Sequence, residues 1–207
     1  MQLIRKPFGI IRENLRIYLV LNALAYGLFL VGFAIGLIFP DLSAGRAEAL
    51  ENDGTADLVL SLISNPWLFA LVILLVNTFQ LSLLTIVLPS LIIPFSGIVA
   101  FSVWVVITGV TLVPADGAGW VALIPHSLTL IIELQAYILV LTGVFLLGKF
   151  WLRPRSIGAA NHRTGYLRGL QHLGRLAVPA FLLLIVGAIW EAFSLIYLVH
   201  PLQQWLL

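Results

Sequence analysis

Apolar residues run along this chain in five long stretches, at about 17–39, 66–88, 91–113, 120–147 and 176–199, parted by short polar or charged ones. About 20 apolar residues carry a helix across the hydrocarbon core of a bilayer, so each stretch reads as a transmembrane helix. Between Leu58 and Ala115 there is no Asp, Glu, Lys or Arg, and this region is read as two spans joined as a hairpin. The runs are continuous rather than alternating, which argues for helices that satisfy their own backbone and against a membrane β-barrel. Pro89 and Pro94 bracket the uncharged hairpin connection, which reads as a tight turn; Pro125 and Pro179 predict kinks in the fourth and fifth helices. The expected fold is all-α, a single polytopic membrane domain over 1–207 with five transmembrane helices.

Composition agrees with this class. Hydrophobic residues make up 61% of the 207 and charged residues 10%, against about 25% charged in soluble domains. Charge then orients the bundle. Arg5, Lys6, Arg12 and Arg16 precede the first span, and Lys149, Arg153, Arg155, Arg163, Arg168 and Arg175 fill the connection between the fourth and fifth. Arg46 is the only basic residue elsewhere. Asp41, Glu48, Glu51, Asp53 and Asp57 lie in the first connection and Asp116 in the third. Five spans put both basic clusters on one side and both acidic connections on the other, which predicts a multi-pass cell-membrane protein with its N-terminus cytoplasmic and its C-terminus outside. Four or six spans break that agreement. The first apolar run exceeds the h-region of about 7 to 15 residues of a secretion signal and no clear small-x-small cleavage pattern follows it, so it reads as an uncleaved anchor. No connection is long enough for a core of its own. The chain has no cysteine, which excludes disulfides, thiol catalysis and cysteine-ligated metal.

Two amphipathic surface segments are expected on the cytoplasmic side. In the interfacial segment 1–16, Ile4, Phe8, Ile11 and Leu15 share a helical stripe beside Arg5, Arg12 and Arg16. In the fourth connection, Tyr166, Leu170 and Leu173 stand opposite Arg168, His172 and Arg175. Such segments can lie among anionic headgroups or dock a cytoplasmic partner, although the positive-inside bias alone requires the basic residues. Gly32 with Gly36, and Ser96 with Ala100, have the small-residue spacing that lets helix backbones approach. The spacing serves packing within the chain or against a second copy, and a homo-oligomer, a dimer, is the expectation. Trp67, Trp104, Trp120, Trp151, Trp190 and Trp205 are read mostly as interfacial anchors.

Candidate chemistry lies inside the spans. His126 and Glu133 fall within the fourth and Glu191 within the fifth, and an ionisable residue at a membrane helix centre costs roughly 3 kcal/mol or more to insert. At about 1.5 Å per residue His126 lies about 9 Å below the outer surface and Glu133 about 20 Å. Glu191 returns to about the depth of His126, and Asn77 and Gln80 in the second span reach the level of Glu133. His126, Thr129 and Glu133 share one helix face, giving a polar seam of His126, Glu133, Glu191, Asn77, Gln80 and Thr129. The expected contacts are His126 with Glu191, and Glu133 held separately by Asn77 or Gln80. The plainer reading of each residue is a structural hydrogen bond between helices.

These residues also carry a family resemblance. Leu123-Ile124-Pro125-His126, then Ile132-Glu133-Leu134-Gln135-Ala136, then Gly143 and Gly148, resembles the Pro-His-Gly…Glu-Leu-x-Ala…Gly segment of the stage II sporulation protein M (SpoIIM) family. Val178-Pro179-Ala180 followed by Ala188-Ile189-Trp190-Glu191-Ala192-Phe193 resembles that family's last span, and Asn77 sits where the family has an Asn before its hairpin. Ser127 stands where the family has Gly after the His, and a single Asn77 where a pair is common. The resemblance covers the chain from the second span onward. It implies a bacterial or archaeal membrane scaffold or permease-type subunit, in systems as different as peptidoglycan remodelling during engulfment and circular bacteriocin maturation and export. It implies no catalytic reaction.

Four functions compete at this point. A non-enzymatic scaffold or assembly subunit of an envelope or export system fits the resemblance, the small connections and the lack of a soluble domain, and is the favoured expectation. A transport subunit working with a cytoplasmic ATPase, with His126, Glu133 and Glu191 lining a proton or substrate path, is the alternative; a seam that opens to water on one side favours it. An intramembrane hydrolase lacks a His-Glu-x-x-His or a catalytic Ser or Asp pairing in the spans. A metal site has one His and two separated carboxylates, a sparse set. The expected partners are the lipid bilayer and other membrane or cytoplasmic proteins, with no nucleic acid, no cofactor and no metal.

Overall fold

The computed structural model describes residues 2–207, with side chains from Lys6 onward. Helix α1 (Gln2–Glu13) leads into α2 (Leu15–Ile38), and α3 (Pro40–Asn52) and α4 (Thr55–Leu62) form the first connection. α5 (Pro66–Leu75), a π-helical segment (Val76–Val87) and α6 (Leu88–Ile92) make one continuous rod. α7 (Ser96–Thr111), α8 (Gly117–Leu152), a 3-10 turn (Pro154–Ile157), α9 (His162–Tyr197) and α10 (Val199–Leu206) complete the chain. Caps set the starts of the long helices. Asn65 Oδ1 accepts from Leu68 N at 3.1 Å ahead of Pro66, Asp116 from Gly119 N at 2.7 Å, and Asn161 from Thr164 N at 2.9 Å, each satisfying an amide that a helix start leaves unpaired.

Four helices, Leu15–Ile38, Pro66–Ile92, Gly117–Leu152 and His162–Tyr197, are long and apolar enough to cross a membrane. The apolar α7 has 16 residues and rises about 24 Å. It nevertheless runs between the same two ends of the bundle as the others. At one end the ring of Phe95, just before α7, sits over Gly148 of α8, and Tyr166 Oη donates to Leu91 O at 3.3 Å. At the other, Arg46 Nε donates to Thr111 Oγ1 at 3.4 Å and Gln203 Nε2 to Ala118 O at 3.1 Å. Lys149, Arg153, Arg155, Arg163 and Arg168 gather at the first end, and the acidic α3–α4 connection at the second. Val99 and Val103 on α7 and Leu182 and Val186 on α9 are exposed; an apolar belt of this kind is suited to lipid and not to water.

α8 is the hub. In its most apolar stretch 67% of residues are buried, against 17% for the Pro66–Ile92 rod. It packs closely along α9 because glycines remove the side chains between them: a Cβ on Gly165 would stand 2.1 Å from Phe150 O, and one on Gly169 2.6 Å from Leu147 Cα. This changes the expected fourth connection. The basic stretch 162–175 is not a surface segment lying in the membrane plane but the first turns of α9, with Gly165, Gly169 and Leu173 buried on α8. Only 153–161 is turn. Helices of 36 residues rise about 54 Å, so they outrun a hydrocarbon core of about 30 Å and hydropathy falls while the helix continues.

The N-terminal stripe is also divided. α1 packs against α9 and buries Pro7 and Ile10, while Phe8, Arg12, Leu15 and Arg16 are exposed; the side chains of Ile4 and Arg5 lie outside the described residues. Gly32, Gly36 and Gly109 serve the crossing of α2 and α7, where a Cβ on Gly32 would be 2.1 Å from Val106 O and one on Gly109 2.3 Å from Phe29 O. Gly32 and Gly36 are therefore used within the chain, and their spacing carries no argument for a second copy. At the third span the close approach falls on Gly97, between Ser96 and Ala100, whose N–H donates to Ser90 Oγ at 3.0 Å.

Candidate functional site

A break in regular helix places the first polar side chain. Within the π segment, Ser82 Oγ donates to Asn77 O and Thr85 Oγ1 to Gln80 O, both at 2.8 Å and both to a carbonyl five residues back, the register of a π turn. Above this segment α5 packs on α9, with Trp67 against Phe193 at 5.1 Å between ring centroids; the segment itself packs on α7 and α8. The wide turns present Asn77 to α8, where its amide Nδ2 donates to Glu133 Oε1. Gln80 is exposed on the outer face of the rod and takes no part in the seam. In an α-helix it would share the face of Asn77 three residues away; the wider π turn rotates it off.

On α8 and α9, His126 Nδ1 and Glu191 Oε1 face each other at 3.7 Å. That is an electrostatic contact and too long for a hydrogen bond. Neighbouring Trp190 Nε1 donates to Pro125 O at 3.0 Å, fixing α9 against α8 beside the pair. Glu133 lies two turns along α8 from His126 and level with Gly187, one turn before Glu191 on α9: a Cβ on Gly187 would stand 3.2 Å from Glu133 Cγ. Asn77 thus holds Glu133, while His126 and Glu191 face each other beside it. Thr129 is buried and its hydroxyl has no protein partner, but it does not line the space that the other groups share.

That space is a cavity of about 360 Å³. α5 leans on α9 and α7 leans on α2, leaving a gap between them that α8 floors. Asn77, Glu133, His126 and Glu191 all line it, within a wall that is otherwise mostly apolar. α4 covers its outer side with Leu58, Val59 and Leu62, and the cavity is not sealed. Gly54, at φ 81 between α3 and α4, makes the bend that only glycine adopts freely. Beside it, hydrogen bonds from Thr55 and the Arg46 charge hold the exposed Asp53 carboxyl below its ordinary pKa.

The chain matches no family model, no curated protein and no solved structure. The site therefore stands on its own geometry.

Two groups were missed in the sequence. Tyr137, 1% exposed, is part of the cavity wall, its ring held between Phe101 and Trp104 and its buried hydroxyl without a partner in the protein. It follows Glu133 by four residues, and that helical spacing was its signal. Gln135, on another face of α8, accepts from Tyr18 Oη at 2.7 Å and donates to Asn22 Oδ1 at 2.8 Å and Tyr26 Oη at 3.0 Å. Tyr18, Asn22 and Tyr26 recur every four residues, one stripe of α2. This network is satisfied and ties α2 to α8; the cavity groups are less so. No cluster of three His, Asp or Glu side chains suited to a metal ion occurs among the described residues.

Proposed function

We propose that the chain is a non-enzymatic, permease-type membrane subunit of a bacterial or archaeal export or envelope system, with a proton or substrate path through the His126, Glu133 and Glu191 cavity. The observation that carries this reading is the cavity itself. A seam serving only helix contact is expected to be closed and fully paired, as Gln135 is. Here two carboxyl groups and an imidazole border an unsealed space of about 360 Å³ whose wall also includes Tyr137, within the size range and mostly apolar character of ligand sites. Ionisable groups on a cavity inside a membrane bundle mark ion and substrate pathways. The SpoIIM resemblance supports a membrane subunit of this kind without choosing its cargo. In this reading five helices cross the bilayer, α7 included, with the basic end cytoplasmic and α3, α4 and α10 outside, supported by the segregation of charge.

The second reading is a scaffold that acts through partners and moves nothing. Proteoliposomes holding the full chain and an internal pH dye separate the two. Under an imposed potential the transport reading expects proton flux above protein-free liposomes, lost in Glu133→Gln and Glu191→Gln. No flux above background, or flux unchanged in both variants, returns the chain to the scaffold reading.

A further inference from the structure

A second cleft lies at the basic end, away from the cavity. Its volume is about 340 Å³, and Ile17, Phe95, Phe145 and Leu152 form its apolar walls while Lys149 and Arg153 supply cations. Lys149 lies in the last turn of α8 and Arg153 caps its end, its backbone N–H donating to Lys149 O. Neither has a carboxylate within 4.0 Å; His126–Glu191 is the one ion pair among the described residues.

Two helix starts and one ring contact fix the level of this cleft. α2 begins at Leu15 and α7 at Ser96, and the ring of Phe95 rests on α8 at Gly148, where a Cβ would stand 2.7 Å from it. The apolar α2 and α7 thus begin at the level of Lys149, where apolar helix gives way to basic residues. One wall is set at some cost. Phe95 has φ 68, a conformation rare for a bulky residue and worth about 1–3 kcal/mol of strain. Its ring is held over Gly148 and 5.5 Å from Phe145.

We propose that this cleft binds one acidic phospholipid of the leaflet at the basic end, its phosphate between Lys149 and Arg153 and an acyl chain along Phe145, Leu152 and Ile17. A soluble anion satisfies the cations and leaves the apolar walls uncovered. A zwitterionic lipid covers the walls but brings an ammonium toward two cations. An acidic phospholipid meets both, and basic pockets between membrane helices on the cytoplasmic side bind such headgroups.

The test is native mass spectrometry of the full chain in a neutral detergent, titrated with phosphatidylglycerol, with phosphatidylcholine of the same acyl chains, and with inorganic phosphate. One high-affinity phosphatidylglycerol is expected, with phosphatidylcholine and phosphate weaker. Lys149→Gln with Arg153→Gln is expected to weaken it roughly 30-fold, from two surface cations. Arg163→Gln with Arg175→Gln, the same loss of charge outside the cleft, is expected to leave it in place. Leu152→Trp keeps both charges, fills the exposed side of the cleft and is expected to weaken phosphatidylglycerol too, which guards against misfolding of the charge variant. Equal loss in the two charge variants, equal affinity for phosphatidylcholine or phosphate, or undiminished binding in Leu152→Trp overturns the proposal.

Discussion

Gln135→Leu removes three hydrogen bonds between α2 and α8 at once, those with Tyr18, Asn22 and Tyr26. Interhelical hydrogen bonds in membrane proteins average about 0.6 kcal/mol each, because the unfolded helices also find partners in the membrane. Three of them come to about 2 kcal/mol on the same scale. Leucine has nearly the volume of glutamine, so little of the loss comes from a cavity. Asn22 keeps the bond from Nδ2 to Tyr18 O at 2.8 Å, but its Oδ1 loses its interhelical donor. Unfolding in mixed micelles of dodecyl maltoside and dodecyl sulfate measures the change. Tyr18→Phe removes one bond and should cost about 0.6 kcal/mol alone, and nothing further once Gln135 is already leucine. A Gln135→Leu loss below about 0.5 kcal/mol, or Tyr18→Phe adding its full cost in the double variant, would refute the network.

The same assay bears on two further expectations. Gly97→Ala places a Cβ 1.8 Å from Ile86 O and should destabilise by about 1–3 kcal/mol, whereas Gly27→Ala meets nothing within 4 Å and should be neutral or stabilising by up to about 1 kcal/mol; equal effects would deny the close crossing. His126→Ala and Glu191→Ala should each leave a half-buried ionisable group without its counterpart, so the double variant should lose less than the two single losses added together; strict additivity would show that the contact at 3.7 Å is not felt. For orientation, the cysteine-free chain carries Leu50→Cys and Ala160→Cys separately. In intact cells an impermeant thiol reagent should reach position 50 and not 160, and the reverse pattern would invert the topology.

The apolar segments were legible because hydropathy reports what touches lipid, and the capped starts at Asn65, Asp116 and Asn161 carry local signals. The length of α8 and α9 was not, since both continue as helix past the bilayer, where Lys149 and Arg168 look like the residues of a loop. Pairing of His126 with Glu191 followed from the order of the spans and the depth of each residue along them. The exclusion of Gln80 did not, because its face depends on a π segment whose wide turns leave no mark in a hydrophobic period. Nor was the cavity visible: it arises from α5 leaning on α9 while α7 leans on α2, a relation between helices that no single helix encodes.

The central claim is that the unsealed cavity of His126, Glu133 and Glu191 is a hydrated path, and paired positions on two helices, one lining the cavity and one facing outward, test it. Leu130 lines the cavity while Ile131 is exposed on the outer surface of the bundle, and on α7 Thr108 lines it while Val103 is exposed on the outer surface. A charged methanethiosulfonate reacts with hydrated thiols and not with thiols facing hydrocarbon. Added from the outer side to single-cysteine variants of the full chain, it should modify Leu130→Cys and Thr108→Cys and leave Ile131→Cys and Val103→Cys untouched. Unreactive cavity positions, or equal labelling within each pair, would contradict the account.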